Sequence, residues 1–420
     1  MKLTGRLQLF AIIGPGLLVA ATGIGAGDLA TGAFTGSRVG TAVLWAVVLG
    51  AFLKFVLNEG LARWQLATGQ TLLEGAVSRF GLVVAAVFGP YFVIWSFLVA
   101  LALMSACGVT MHAMVPVFSD PADAKVAFGL LHGAAGVILV LFGGFRLFEK
   151  VMQVCIGVMF VTVVVTTALI WPGTMEVLRG LSIPTPATLH GENLEWTIAL
   201  MGGVGGTVTV LCYGYWIREK GRAQASDLKV CRIDLGVAYA MTAIFGICMV
   251  IIGSTLTLPD KRGAGLIVAL ATQLEGPLGP LGKWAFLIGA WGAVFSSLLG
   301  VWQAVPYLFT DLWVLLRQRH RQDSGELNSG NYTRSRPYRA YLLGLFIVPA
   351  FGLGMSFSMV QKAYAITGAL FIPLLAIALL ALNGHRDWVG ERFRNRWPTT
   401  LVLVLTTVFF AALLIRAILT

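Results

Sequence analysis

The residues able to do chemistry are few, and they sit in apolar surroundings. Gly23-Ile24-Gly25-Ala26-Gly27-Asp28 places three glycines at alternate positions and then a carboxylate, directly after an apolar run. Each glycine weakens a helix by roughly 1 kcal/mol relative to alanine. The stretch therefore reads as a helix break, with Gly23, Gly25 and Gly27 freeing backbone carbonyls beside Asp28. Unwound backbone persists in lipid only where protein shields it or where it lines a cavity. Transporters use such breaks to hold ions and solutes. The alternative is a packing face of small residues. Asp28 is the candidate metal ligand; its alternative role is a helix N-cap.

A second stretch repeats the pattern. Met201-Gly202-Gly203-Val204-Gly205-Gly206-Thr207 leads into Leu211-Cys212-Tyr213-Gly214 and then Arg218-Glu219-Lys220. The break is expected around Leu211 to Tyr215, so Leu211, Cys212, Tyr213 and Gly214 join the candidate binding residues. Cys212 offers sulfur, although a lone buried cysteine is more often a small apolar residue. Lys54 and Asn58, four residues apart, share a helix face and are a candidate polar lining, with Lys54 also a partner for Asp28. A charge at bilayer depth costs about 2.5–3.5 kcal/mol, so it is usually partnered. Glu59 and Arg63 read as an i, i+4 pair. Arg218-Glu219-Lys220 reads either as a gate or as snorkelling anchors. Lys283, Asp311 and Lys362 are expected at the interface, and neither His112 nor His132 is given a ligand role.

These residues are carried by an all-α polytopic membrane protein. Of 420 residues, 57% are hydrophobic and 12% charged, against roughly 25% charged in soluble domains; the mean hydropathy is +0.83. The net charge of +11 does not point to nucleic acid, because the basic residues lie in short loops, where they set orientation. The five cysteines form neither a metal-ligand pattern nor a disulfide framework. No His-Glu-x-x-His, Gly-x-Ser-x-Gly or His/Cys cluster suggests an enzyme or a cofactor. The first apolar run reads as a retained helix.

Eleven spans are expected, each near the roughly 20 residues that cross a bilayer. They run at about 8–38, 42–66, 83–112, 126–144, 150–171, 194–217, 232–257, 281–315, 339–357, 359–383 and 397–419. Two glycine-interrupted spans five helices apart point to an inverted-repeat transporter. The repeats would be 8–171 and 194–383, with 397–419 as an extra helix in a single transmembrane domain. Most Lys and Arg fall on one side of this plan; the other side is left with few, among them Arg38, Lys125 and Lys362. That asymmetry predicts a multi-pass cell-membrane protein with a cytoplasmic N-terminus and the C-terminus outside. Its partners are then lipid and a transported small ion or solute. Loop 317–337 reads as a flexible connector.

Two further segments complete the pattern: Gly14-Pro15 through Trp45 to Ala67-Thr68-Gly69, and Ser296-Ser297-Leu298-Leu299-Gly300-Val301-Trp302-Gln303. On these residues the chain resembles the Nramp divalent-metal transporters, the second segment being similar to that family's serine-rich segment. The resemblance implies a LeuT-type fold, a 5+5 inverted repeat with broken helices 1 and 6, and places Ser296 and Ser297 beside the polar lining. It also exposes departures. The family's Asp-Pro-Gly-Asn, whose Asp and Asn bind metal, is Gly25-Ala26-Gly27-Asp28 here. The Met-Pro-His motif is expected near Leu211 to Gly214, where neither Met nor His occurs. The third-helix acids are replaced by the carboxylate-free Ala102 to Ser105. Sulfur and imidazole favour transition metals; their loss argues against high manganese affinity. Some relatives with altered sites carry magnesium, a hard cation suited to oxygen ligands. The leading expectation is a secondary transporter of a divalent cation, with a hydrated, magnesium-like ion as the candidate cargo. A small anion or polar organic solute is the alternative.

Overall fold

Apolar helices that cannot satisfy their faces in water dictate a bundle, and the computed structural model is one. It describes residues 14–25, 27–182, 186–255, 266–318 and 333–419, and no strand occurs among them. The helices are α1 (Pro15–Gly23), α2 (Gly32–Val39), α3 (Leu44–Thr68), α4 (Leu72–Phe80), α5 (Leu82–Met114), α6 (Pro121–Phe142), α7 (Gly144–Leu169), α8 (Thr174–Ser182), α9 (Gly191–Gly203), α10 (Tyr213–Glu219) and α11 (Leu228–Ser254). There follow α12 (Leu266–Gln318), α13 (Arg336–Ala350), α14 (Phe357–Ala369), α15 (Phe371–Gly384) and α16 (Trp397–Leu419).

Among the described residues, eight helical stretches are long and apolar enough to cross a membrane. One of them, Asp28–Thr68, joins the second half of the first broken helix to α3. The expected eleven spans are thus not reproduced as eleven uninterrupted membrane-length helices. The expected ninth span is α13, only 15 residues long. The expected tenth divides at Leu370 into α14 and α15. The eighth extends further than expected, as α12 begins at Leu266 and turns at Gly279, where φ is +67°. Residues 8–13 of the first span, 256–257 of the seventh and most of the 317–337 connector lie outside the described residues.

Burial sorts the helices into an inner and an outer set. In α1 only Leu17 escapes full burial, and α9 is buried continuously from Trp196 to Gly203. The outer helices α5, α6 and α7 expose Val83, Val87, Leu131, Ile138, Val158 and Val161. An apolar rim around a polar-containing centre is what lipid selects, because lipid offers no partners to polar groups. The two glycine-rich helices are therefore the ones placed at the centre.

Candidate functional site

The first break falls where the glycines predict. α1 ends at Gly23, and Ile24 leaves helical geometry with φ −77° and ψ 83°. The chain resumes as a π-helical turn, Gly27–Thr31, before α2. Such wide turns are rare and often mark functional sites. Gly25 sits in the gap, and Gly27 opens the turn. Ala26 is outside the described residues.

The second break is not where it was expected. Leu211 and Cys212 lie in a 3₁₀ turn, Val208–Cys212, while Tyr213 and Gly214 open the regular helix α10. The backbone departs from helix earlier, at Val204 to Thr207. There Gly205 and Gly206 have φ of +76° and +84°, a region only glycine enters freely. The Gly202–Gly206 cluster carried the signal; aligning on the downstream Leu-Cys-Tyr-Gly misplaced it. Gly214 instead packs on Gln65, whose amide donates to the Gly214 carbonyl at 2.6 Å. Cys212 is fully buried. No group of three His, Cys, Asp or Glu able to hold a metal occurs among the described residues.

The two breaks touch. A Cβ on Gly23 would lie 2.5 Å from the Gly205 carbonyl carbon, so the backbones meet directly. Asp28 is fully buried beside this contact. Its Oδ2 accepts the Gly205 N–H at 3.3 Å, across to the other break rather than within its own helix. The N-cap reading is thereby corrected. Asp28 Oδ1 has no hydrogen-bond partner. Neither Asp28 nor the Gly23 and Gly205 contact lines any of five cavities of about 210–370 Å³, although Leu211 lines one of them.

Each break is closed by side chains from a third element. Ser297 Oγ donates to the carbonyls of Ala21 (3.1 Å) and Thr22 (2.9 Å), and Ser296 Oγ donates to Ala21 at 3.2 Å. The serines thus complete the C-terminal end of α1. A Cβ on Gly25 would stand 2.0 Å from Ser297 Oγ, so no side chain fits at that position. Lys54 forms no direct ion pair with Asp28 but lies within electrostatic range of it. Its ammonium donates to the carbonyls of Gly202 (2.6 Å), Val204 (2.5 Å) and Gly206. Asn58, one turn along α3, donates to Tyr239 at 3.0 Å and leaves its Oδ1 unpartnered.

The expected Glu59–Arg63 pair is present at 2.7 Å, and Glu59 also holds Arg232 at 2.8 Å. Arg218, Glu219 and Lys220 are each held by a different part of the bundle. Arg218 donates to Gly69 O and Glu74; Tyr307 donates to Glu219; Lys220 pairs with Glu149 at 2.6 Å. Asp311 is not interfacial but buried, accepting from Thr71 at 2.9 Å and Tyr215 at 2.6 Å. Sequence reasoning missed Asp234. Its fully buried Oδ2 accepts from Gly16 N–H (2.9 Å), Tyr213 (3.1 Å) and Arg222 (2.9 Å), tying the start of α1 to α10. A carboxylate inside an apolar span was the available signal. At the opposite end, Arg38–Glu192 (2.5 Å) and Lys362–Glu195 flank a cavity of about 280 Å³. His132 is engaged by Phe128 O and Trp291 and is not poised as a ligand.

A helical bundle with two broken central helices meeting backbone to backbone has the architecture of LeuT-type transporters. The crystal structure of a manganese transporter from Eremococcus coleocola superposes with a TM-score of 0.68 at 16% identity, covering 98% of this chain and 87% of that one. MhsT in complex with L-phenylalanine gives 0.63 at 16% identity, covering 96% and 97%. The family model described as natural resistance-associated macrophage protein-like matches residues 16–420, and the chain belongs to the Nramp family. It is 23% identical over 429 residues to divalent metal cation transporter MntH 1 of Pseudomonas aeruginosa, covering 97% of this chain and 90% of that protein. It is likewise 23% identical over 266 residues to MntH of Brucella suis; that match takes 59% of this chain and spans only 54% of the relative's length.

Proposed function

We propose that this protein is a secondary transporter that moves a divalent cation across the cell membrane by alternating access. The relatives named as divalent metal cation transporters support the class of cargo. The observation that carries the reading is Asp28 Oδ1, a buried and unpartnered carboxylate oxygen where the two breaks meet. A buried carboxylate oxygen without a hydrogen bond is costly, and a cation relieves that cost beyond what the Gly205 N–H and the nearby Lys54 charge supply. Asp28 is an oxygen donor, and no cluster of three His, Cys, Asp or Glu occurs among the described residues, so a cation there would keep part of its water. Oxygen donors suit a hard cation such as magnesium, which keeps part of its water. Manganese and iron are disfavoured relative to a site with sulfur and imidazole. The two five-helix halves would exchange access, with the Arg218 end cytoplasmic and the Arg38 end outside.

Lys54 favours a second reading. Its ammonium brings positive charge to the second break, which suits a small anion or a polar organic solute held near the half-helix ends.

Uptake by purified protein in liposomes separates the readings. Magnesium uptake is expected, with manganese binding weaker than micromolar by isothermal titration. Asp28→Asn keeps the shape of the side chain and its bond to Gly205 N–H but loses the charge. It is expected to fold normally and to reduce uptake to background. Full uptake by a well-folded Asp28→Asn protein overturns the cation reading in favour of a neutral solute or an anion.

A further inference from the structure

The second break is a cation-binding device with its cation already built in. Three carbonyls at alternate positions, Gly202, Val204 and Gly206, converge on one ammonium. Continuous helix could not present them this way, because its carbonyls all point along the axis to the next turn. The left-handed φ of Gly205 and Gly206 breaks that alignment. Gly206 N–H bonds to Gly203 O at 3.2 Å, so the Gly202 carbonyl has lost its helical partner. The cage also sits at the C-terminal end of α9, where the helix dipole is negative. Buried carbonyls require donors or a cation. The Lys54 ammonium has three donors, one for each acceptor, and the residue is 1% exposed. The approach is prepared one turn earlier: Gly50 lets α3 lie against Met201 O, which an added Cβ would meet at 3.0 Å.

We propose that these three carbonyls form a latent alkali-cation site, occupied in this protein by the tethered ammonium of Lys54. An ammonium is close in size to potassium and is satisfied by the same kind of oxygen cage. A free ion would have to be captured and released as the second break moves. A tethered one stays with α3, so the protein holds its broken helix together without an alkali ion from solution. This inference rests on the backbone geometry and not on which cargo is transported.

The test reads stability rather than transport, so it stands apart from the cargo assignment. Thermal unfolding of the purified wild-type protein is followed in sodium, potassium and choline chloride at equal ionic strength. No difference among the salts is expected; a saturable rise in sodium or potassium overturns the proposal. Lys54→Ala removes the ammonium and opens room for an ion. It should melt lower in choline, then recover saturably in sodium or potassium, by roughly 5 °C at an ion concentration 100 times its dissociation constant. Methylammonium should also restore it. Lys54→Met fills the space without supplying charge, and should be destabilised with no recovery in any salt. A Lys54→Ala protein indifferent to all three cations, or a Lys54→Met protein that recovers equally, overturns the site. If neither variant can be purified, the wild-type comparison decides alone.

Discussion

The two helix breaks face the same problem and solve it with different chemistry. At the first, the freed carbonyls of Ala21 and Thr22 accept from the neutral hydroxyls of Ser296 and Ser297 on α12. At the second, the freed carbonyls accept from a full positive charge on α3. Hydroxyl bonds contribute on the order of 1 kcal/mol each, while bonds to a charged group are roughly twice as strong. A buried charge also has to be held in place, because leaving it unpaired is far costlier than leaving a hydroxyl unpaired. The first break is therefore the softer joint and the second the stiffer one. Asp28 belongs by sequence to the soft side but bonds to the stiff side through Gly205. A cargo that draws Asp28 away would act on both.

The most damaging way to break this comparison is to separate the two backbones. Gly23→Ala places a methyl group 2.5 Å from Gly205 and 2.6 Å from Gly206 N, where only backbone is available to give way. We expect a loss of more than about 3 kcal/mol, at the upper end of overpacking costs, seen as failure to yield a monodisperse protein.

Gly25→Ala should cost about 1–3 kcal/mol, because its obstacle is a side chain, Ser297, rather than backbone. The softness of the first break makes a sharper forecast. In a Ser297→Gly background, the further change Gly25→Ala should be nearly neutral, giving a coupling energy of about 1–3 kcal/mol in a double-mutant cycle by thermal melting. Additive effects would mean that Ser297 is not what excludes a side chain at Gly25. This contact also gives the physical reason why a metal-binding aspartate is not simply restored here: Gly25→Asp would collide first with Ser297.

The smallest expected effect is Ser297→Ala. It strips the donor from Thr22 O but leaves Ser296 on Ala21 O. A cost of about 1–2 kcal/mol is expected for one unsatisfied buried carbonyl. The change should be measured by thermal melting and be well below that of Lys54→Met. Equal losses in the two variants would remove the distinction between a soft and a stiff break.

Much of this was legible before any coordinates. Composition and apolar runs required a helical membrane bundle, because only helices satisfy their own backbone in lipid. Alternate glycines before Asp28 marked the first break, and the glycine-rich 202–206 segment contained the second. Glycine signals are local: they report conformations the backbone can enter. They do not say which of several glycine-bearing positions unwinds, and so the second break was assigned seven residues too late. Charge patterns were similarly local. Glu59 and Arg63 are i, i+4 neighbours on one helix, and the pair was readable because helix geometry alone brings them together.

Only tertiary structure decided the partners separated by long stretches of chain. Lys54 reads in sequence as polar lining or a partner for Asp28, since a charge at bilayer depth calls for a partner. The fold keeps its charge within electrostatic range of Asp28 and also delivers the ammonium to three carbonyls about 150 residues away, which the sequence did not show. Ser296 and Ser297 read as lining and prove to be the closure of α1, 275 residues distant. Asp234 was visible in sequence only as a carboxylate in an apolar span; its partners Arg222, Tyr213 and the Gly16 N–H were set by the packing of α1, α10 and α11. Sequence determines which backbone groups are freed and which side chains can satisfy them. Which donor meets which acceptor depends on how the helices pack, and packing couples residues through space rather than along the chain.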